Sequence, residues 1–557
     1  MLISLSTVEQ FSGQVAMKLA LIALVLLLTC ASSAWSYIVD PGPVVKATRG
    51  LVWPQPTKLT IQNTFSVIRP QKFEFNAVKN TCDILNDSFI RYKELIVAEA
   101  QRLRKIEMKS ARRSRERINR INYDQFYEDD KFTGFLEAVT VNLEKPCEDS
   151  PYLGMDESYK FTLNNSEAIL ESESVWGILR GLESFSQMIT TADDGRSLRI
   201  NNSYIEDSPR FSHRGLLLDT SRHFIPLDTI KLILNGMAYN KLNVFHWHIV
   251  DDHSFPYEST KFPELSASGA FHPTLVYTQN DVAAVIEYAR MRGIRVLPEF
   301  DTPGHTRSWG VSHPELLTQC YPPYSGKLGP MDPTKSEVYT FLRELFGEVS
   351  DVFPEQYFHL GGDEVGFECW STNPDIVKYM KEKNYTKYEQ LEEEFIQKVV
   401  DIIDDLKSKS IVWQEVYQNQ VRLPQGTVVH VWTGDRKRLM SQITRDGLPV
   451  LLSACWYLDH LATGGDWTKF YNCDPLDFQG TPEQKALVMG GEACMWAEVV
   501  DDTNVVQRIF PRASAAAEKL WTQGPGVSVK ERLEEHSCRL RKRNIPSQPP
   551  NGPGFCL

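Results

Sequence analysis

Two adjacent carboxylates, Asp363 and Glu364, follow a short apolar run and two glycines in the stretch FHLGGDE. Like charges side by side in a closed cleft push their pKa values apart, so one carboxyl stays ionised while the other keeps its proton. This division suits general acid–base hydrolysis, the cleavage of a glycosidic bond above all. A DE dipeptide is more often a solvated surface pair, but the apolar run and the glycines favour a functional role here.

The stretch NVFHWHIVDDH contains a rival set of candidate ligands. His246 and His248 stand at positions i and i+2 of a predicted strand and face one side, an arrangement that could bind zinc. Metal-dependent barrel hydrolases carry such a pair on the first strand, whereas this pair belongs to the second. We therefore favour buried, hydrogen-bonded histidines, and the sequence predicts neither a metal nor a cofactor.

Three tryptophans, Trp413, Trp432 and Trp496, each fall near the end of a different apolar run. A single tryptophan is most often a core residue. Three at the rim of one cavity would form an aromatic pocket for an apolar face of a ligand, such as a sugar ring or an acetyl methyl group.

The elements that must position these residues begin after Pro209, where eight apolar runs alternate with helical segments. The runs are RGLLLDTS, NVFHWHIVDD, IRVLPEFDTPGH, YFHLGGDE, SIVWQEV, VVHVWTG, PVLLSACWY and LVMGGEACMW. Continuous apolar strands between helices predict a parallel sheet covered by helices, and eight units predict a (β/α)8 TIM barrel over residues 210–557. Residues 35–209 alternate strand-like and helical pieces, which predicts a small α+β accessory domain.

The composition and the N-terminus indicate the compartment. Residues 1–34 have the charged start, apolar run and small-residue end of a secretory signal peptide, an uncleaved anchor being the alternative. A net charge of −12 argues against nucleic acid as a partner, and we interpret the basic stretch at 102–120 as a solvated helix or loop. We expect a lysosomal or secreted protein with no stable membrane span after cleavage. Four sequons predict glycosylation at Asn86, Asn164, Asn201 and Asn384.

Several long motifs allow a comparison with a known family. HRGLLLDTSRHF, NVFHWHIVDDHSFPYES, LPEFDTPGHT, FHLGGDEVGFECW, VWQEV, SACWYLD and GGEACMWAE resemble the β-N-acetylhexosaminidases of glycoside hydrolase family 20, especially the lysosomal-type animal enzymes. The resemblance covers nearly all of the chain after the predicted signal. It implies an exo-acting enzyme that releases terminal GlcNAc or GalNAc from glycoconjugates, with the substrate's 2-acetamido oxygen as the nucleophile.

The resemblance also implies roles for individual residues. Glu364 would be the general acid and base, and Asp363 would orient the acetamido group and stabilise the charge of the intermediate. Asp251 and His305 would support Glu364. Tyr457 would donate to the acetamido oxygen. The residues expected to enclose or bind the sugar are Arg214, Trp413, Trp432, Trp496 and Glu498.

The position two residues after the tyrosine carries specificity in this family. It is Asn followed by Arg in the lysosomal subunit that accepts anionic sugars, and Asp in the related subunit. Here Asp459 is followed by His460, which departs from both patterns. A carboxylate near the sugar 6-position would repel a 6-sulfate, so we expect a preference for neutral sugars.

The resemblance implies three disulfides, Cys82–Cys147, Cys320–Cys369 and Cys538–Cys556, and an unpaired Cys494. A bridge between Cys455 and Cys473 is a further hypothesis without family support. Family members are commonly dimers, so we expect a homodimer. Two alternatives stay open: a metal-dependent barrel hydrolase, which chelators would inactivate, and a non-catalytic sugar-binding relative, which would bind without turnover.

Overall fold

The structure is a computed structural model that describes residues 48, 50–114, 121–462 and 464–550. Eight strands before residue 208 form the first sheet, in the order β2-β4-β6-β5-β8-β1-β3 with β7 beside β8. Buried and exposed residues alternate along β5 and β6, as expected for a sheet with one face in the core. The strands are β1 Lys58–Ile68, β2 Glu74–Ala77, β3 Phe132–Leu136, β4 Ala138–Leu143, β5 Tyr159–Asn164, β6 Glu167–Ser172, β7 Thr190–Thr191 and β8 Leu198–Asp207.

Two helices accompany this sheet, Asp83–Ser114 and Val175–Met188. The second begins at Ser174, whose hydroxyl accepts the backbone N–H of Trp176 at 3.1 Å, and every residue of this helix is buried. The complete burial of this helix reflects coverage from both sides. The basic stretch continues the first helix as far as Ser114, and residues 115–120 lie outside the described part.

Eight parallel strands form the closed barrel that the apolar runs predict. β18 pairs with β9 and closes the circle. The barrel strands are β9 His213–Asp219, β10 Val244–His248, β11 Arg295–Glu299, β14 Tyr357–His359, β15 Lys409–Trp413, β16 Val428–Val431, β17 Val450–Leu452 and β18 Val488–Met495. Between β11 and β14 the chain forms an antiparallel hairpin of β12 Leu317–Gln319 and β13 Leu328–Met331.

Helices connect and cover the barrel strands. The helix Tyr388–Asp405 has one apolar stripe that faces the core, with Leu391, Phe395, Val399 and Ile403 fully buried. The other helices are Leu227–Tyr239, Glu264–Gly269, Gln279–Arg290, Ser336–Val352, Glu368–Thr372, Pro374–Lys383, Gln414–Gln418, Arg436–Arg445, Trp467–Tyr471, Pro482–Ala486, Val505–Ile509, Arg512–Trp521 and Val529–Lys542. Short 3-10 turns occupy Tyr123–Glu128, Trp309–Val311, Pro314–Leu316 and Gly464–Asp466.

Buried ion pairs join the first sheet to the base of the barrel. Arg214, near the start of β9, lies 2.6 Å from Glu157, which also pairs with Arg180 at 2.8 Å. Lys241 pairs with Asp207 at 2.9 Å. All five side chains are at most 2% exposed. Ion pairs removed from water in this way need complementary partners, so they fix how the two layers pack.

Three disulfides lie within the described residues. Cys82–Cys147, Cys320–Cys369 and the hypothesised Cys455–Cys473 all form, with Cα–Cα distances of 6.4, 4.5 and 6.3 Å. Cys494 is a free, buried thiol, as expected. Cys556 lies outside the described residues, so the Cys538–Cys556 bridge stays a prediction.

None of the helices in the described ranges is both long and apolar enough to cross a membrane. The predicted signal peptide, residues 1–34, lies outside those ranges. Asn86, Asn164 and Asn384 are exposed, whereas Asn201 is half-buried in β8 and its side-chain amide donates to the backbone oxygen of Gln62 at 2.7 Å. Glycosylation at the four sequons stays a prediction.

Candidate active site

The paired carboxylates leave the barrel at the carboxyl end of β14. Gly361 and Gly362, which precede them, have positive φ values of 71° and 92°. The N–H of Gly362 donates to Oδ1 of Asp301 at 2.8 Å, and a Cβ on Gly361 would overlap the Asp301 carboxylate. Only glycine allows this close approach of the backbone, and the resulting turn presents Asp363 and Glu364 at the rim. The Asp363 side chain is 13% exposed and the Glu364 side chain 61%.

His305 lies between these carboxylates and Asp251. Its Nδ1 is 3.2 Å from Oδ2 of Asp251, and its Nε2 is 3.8 Å from Glu364 Oε2 and 3.9 Å from Asp363 Oδ2. Burial lowers the pKa of His305, but the hydrogen bond to Asp251 and the charge of Asp363 outweigh burial and raise the pKa to about 9. A protonated imidazole therefore faces both candidate catalytic carboxylates.

A third carboxyl, Asp301, supports Asp363 from below. Burial, the charge of Asp363 and the charge of Glu299 raise the pKa of Asp301 well above its usual range. Asp301 therefore keeps its proton and faces Asp363 as a neutral acid. Two acids this close in a dry site repel when both are charged, and this repulsion favours the neutral form of the more deeply buried Asp301.

Four aromatic side chains form one wall of the site. The rings of Trp413 and Trp496 have centroids 6.1 Å apart, and Trp432 stacks on Tyr457 at 6.0 Å with an angle of 28°. All four belong to one apolar cluster at the strand ends. Burial, above other causes, raises the pKa of Tyr457 well above its usual value, so its phenol keeps the proton needed for donation.

The indole N–H of Trp432 donates to both carboxylate oxygens of Glu415, at 3.0 and 2.9 Å. Burial raises the pKa of Glu415 to about 7, with contributions from the charges of Asp363 and Glu364. Glu415 therefore holds Trp432 in place, and the charges of Asp363 and Glu364 contribute to its raised pKa.

Polar residues lie beside the aromatic wall. Arg222 lies 3.0 Å from Oδ2 of Asp251, 3.9 Å from Glu498, and over the ring of Trp496 at 5.0 Å. Asp459 is half-buried, and burial raises its pKa with a further contribution from the charge of Glu498. These groups offer hydrogen-bond partners for the hydroxyls of a sugar.

The predicted role of Arg214 in substrate binding is wrong. Arg214 is fully buried near the amino end of β9, where it pairs with Glu157 and donates to the backbone oxygens of Phe211 and Lys241. The cause is its position ahead of the apolar run, since chemistry in a barrel collects at carboxyl ends. The same motif, HRGLLLDTSRHF, ends in Arg222, which does reach the rim.

The histidines of the HWH stretch lie inside the barrel and bond to carboxylates. His246 is 2.8 Å from Glu492 and 3.2 Å from Glu299, and His248 is 2.6 Å from Glu299. This bears out the interpretation of buried, hydrogen-bonded histidines. His246, His359 and His430 place ring nitrogens within 4.8 Å of one another and could hold an ion. Among the described residues, two sets at the rim meet the same distance criterion: Asp251 with Asp252 and His305, and Asp301 with His305 and Asp363.

The structure places most of the predicted site residues at the strand ends, and it adds four residues that were not predicted from the sequence. These are Arg222, Glu299, Asp301 and Glu415. Each belongs to a quoted motif, and each except Glu299 follows the end of a barrel strand. A systematic inspection of strand ends would therefore have found three of them.

Comparisons with known proteins agree with this geometry. Residues 211–524 match the family described as "Glycosyl hydrolase family 20, catalytic domain", and residues 52–188 match "beta-acetyl hexosaminidase like". The chain belongs to glycoside hydrolase family 20. The match covers the barrel with all the rim residues described above.

Among similar proteins, the chain is 43% identical over 551 residues to the "Beta-hexosaminidase subunit beta" of Homo sapiens, covering 96% of this chain and 93% of the relative. It is 44% identical over 520 residues to the "Beta-hexosaminidase subunit alpha" of Mus musculus, covering 91% and 94%. A Flavobacterium johnsoniae chitobiase structure superposes with a TM-score of 0.72 at 27% identity, covering 89% of this chain and 73% of the chitobiase. This family 20 chain is a glycoside hydrolase with exo-β-N-acetylhexosaminidase activity, of the lysosomal type.

Proposed function

We propose that this hydrolase uses Glu364 as its acid and base and Asp363 as the residue that orients the acetamido group. The observation that carries the proposal is the contact of both carboxylates with a protonated His305, itself bonded to Asp251. Glu364 gives its proton to the leaving oxygen as the acetamido oxygen attacks the anomeric carbon, and later takes a proton from water. Asp363 accepts the acetamido N–H and balances the positive charge that develops on the intermediate.

The aromatic cluster supports the second part of the proposal. Trp413, Trp432 and Trp496 enclose the acetamido group and one face of the sugar, because apolar ring faces match a methyl group and axial C–H bonds. Tyr457 donates its hydroxyl to the acetamido oxygen and directs that oxygen towards the anomeric carbon. Holding the nucleophile in this way removes much of the entropic cost of the first step.

The polar rim supports a single-sugar, exo-acting pocket. Arg222, in place of Arg214, and Glu498 bind the ring hydroxyls. Asp459 faces the sugar's outer end, where its negative charge opposes a 6-sulfate, so neutral terminal GlcNAc or GalNAc is preferred. The substrates are glycoconjugates or oligosaccharides, the protein is a homodimer, and it acts in the lysosome or after secretion.

The decisive experiment compares an aryl β-N-acetylglucosaminide with the matching aryl β-glucoside, which lacks the acetamido group. Turnover of the first alone is the expected result, because the substrate then supplies its own nucleophile. Equal turnover of both would show that a protein side chain is the nucleophile and would overturn the mechanism. Binding without turnover of either would instead support a sugar-binding function.

A further inference from the structure

Glu299 is a fully buried carboxylate at the end of β11, beneath the active site. Its Oε1 accepts a hydrogen bond from the indole N–H of Trp413 at 2.9 Å. Its Oε2 lies 2.6 Å from Nδ1 of His248. Glu299 therefore contacts both Trp413 in the proposed acetamido pocket and His248, from which further contacts extend to Glu364.

A chain of short contacts leads from Glu299 to the acid. Nε2 of His248 is 3.0 Å from Oδ2 of Asp251, and that oxygen is 3.2 Å from Nδ1 of His305. Nε2 of His305 then lies 3.8 Å from Glu364. Since His248 uses both of its ring nitrogens, fixing this ring also fixes Asp251. Asp251 in turn holds Nδ1 of His305, which leaves Nε2 of that ring facing Glu364.

The surroundings of Glu299 keep it ionised. His359 lies 3.0 Å from its Oε1, and His246 lies 3.2 Å from its Oε2. Burial raises the pKa of Glu299, but the charges of His359, His248 and His246 outweigh burial and hold that pKa well below its usual range. An ionised carboxylate has two acceptor oxygens and no proton, so it can accept from donors on opposite sides at once.

We propose that Glu299 is a positioning residue that couples the acetamido pocket to the acid. Through Oε1 it holds the Trp413 indole, and through His248, Asp251 and His305 it holds Glu364 in the orientation that delivers a proton. The orientation of Trp413 and the orientation of Glu364 thus depend on the same buried carboxylate. This inference deepens the proposed function and rests on it.

The test is Glu299→Gln in the full-length chain, with Glu492→Gln as the matched control. Glutamine keeps the shape but has one acceptor oxygen, so it cannot accept from both Trp413 and His248. Glu492 is equally buried and also bonds to two histidines, His213 at 2.6 Å and His246 at 2.8 Å. The Glu492 side chain bonds to neither Trp413 nor His248, and it is connected to Glu299 through the shared His246. Glu492→Gln therefore removes a buried charge while both contacts that define the coupling stay in place.

Each variant is assayed with two series of aryl β-N-acylglucosaminides. The first series varies the acidity of the phenol, and the second varies the acyl group from acetyl to propionyl to butyryl. For Glu299→Gln we expect kcat/KM to fall about 10- to 100-fold more for the least acidic phenol than for the most acidic one, and the preference for acetyl to decrease in parallel. Glu492→Gln should change neither ratio.

Two results would overturn the coupling: a Glu299→Gln enzyme in which only one ratio changes or neither does, or an equal change of both ratios in Glu492→Gln. If Glu299→Gln does not fold, Trp413→Phe removes the indole N–H that Glu299 accepts and keeps a smaller aromatic ring, so the leaving-group ratio is the informative readout. Both ratios should then change again, and an unaltered leaving-group ratio would refute the coupling. Absence of wild-type turnover would refute the proposed function itself, which is a separate outcome.

Discussion

The first barrel strand and its following loop contain one arginine near each end, and the two arginines lie in different environments. Arg214, near the amino end of β9, is sealed from solvent against Glu157 of the accessory region. Arg222, just beyond the carboxyl end, contacts Asp251 and the ring of Trp496 in the active site. The comparison teaches that in a parallel barrel the amino ends of the strands serve packing, while the carboxyl ends serve chemistry.

The largest expected effect belongs to the carboxyl end. Glu364→Gln should lower kcat/KM for an aryl N-acetylglucosaminide with a weakly acidic phenol about 100- to 10,000-fold, because no proton reaches the leaving oxygen. The free energy of unfolding should change little, since the Glu364 side chain is 61% exposed. Steady-state kinetics and urea denaturation measure the two quantities. A variant that loses stability but keeps its activity would contradict the assignment.

The two arginines allow a direct test of the comparison. Arg214→Met should lower the free energy of unfolding by about 3–5 kcal/mol, because it leaves Glu157 buried without this partner, while kcat/KM of the folded enzyme stays unchanged. Arg222→Lys should lower kcat/KM about 10- to 100-fold, since a lysine cannot reproduce the guanidinium contacts, with little loss of stability. Thermal denaturation measures the stability of both variants, and steady-state kinetics measures kcat/KM. A loss of activity without a loss of stability in Arg214→Met, and the reverse in Arg222→Lys, would contradict the comparison.

A smaller effect at the carboxyl end concerns selectivity. Asp459→Asn should raise kcat/KM for a 6-sulfated aryl N-acetylglucosaminide relative to the neutral one about 5- to 10-fold, because a like charge near the sulfate is removed. Asp404→Asn, at an exposed position on the helix Tyr388–Asp405, is the control and should leave the ratio unchanged. The idea fails if both variants give the wild-type ratio.

Protonation of His305 connects the rim to stability. The pKa of His305 is raised from 6.5 to about 9 in the folded protein, so its protonation stabilises the fold fully below about pH 6.5 and this contribution is lost as pH rises through 9. The free energy of unfolding should therefore decrease from pH 6.5 to 9.5, and His305→Gln should decrease less over the same range. Urea midpoints at fixed ionic strength measure both slopes, and equal slopes would contradict the prediction.

Much of the fold followed from local pattern. Apolar runs such as RGLLLDTS and PVLLSACWY are buried strands because a parallel strand covered by helices has no polar face. The stripe from Leu391 to Ile403 is the inner face of a helix for the same periodic reason. The position of Asp363 and Glu364 at the rim could also be predicted from the sequence, since both come shortly after the end of a strand.

Local sequence patterns predicted the elements, the barrel, and the kinds of side chain at the strand ends. Which distant residues meet depends on the tertiary structure. Glu299 gains partners from β10, β14 and β15 because these strands close around it, and Cys455 meets Cys473 because the loop between them folds back. Arg214 and Arg222 stand on opposite sides of one apolar run, and the direction of the strand places them in opposite environments. Periodicity records which side of an element is buried, whereas contacts between elements depend on closure of the whole barrel.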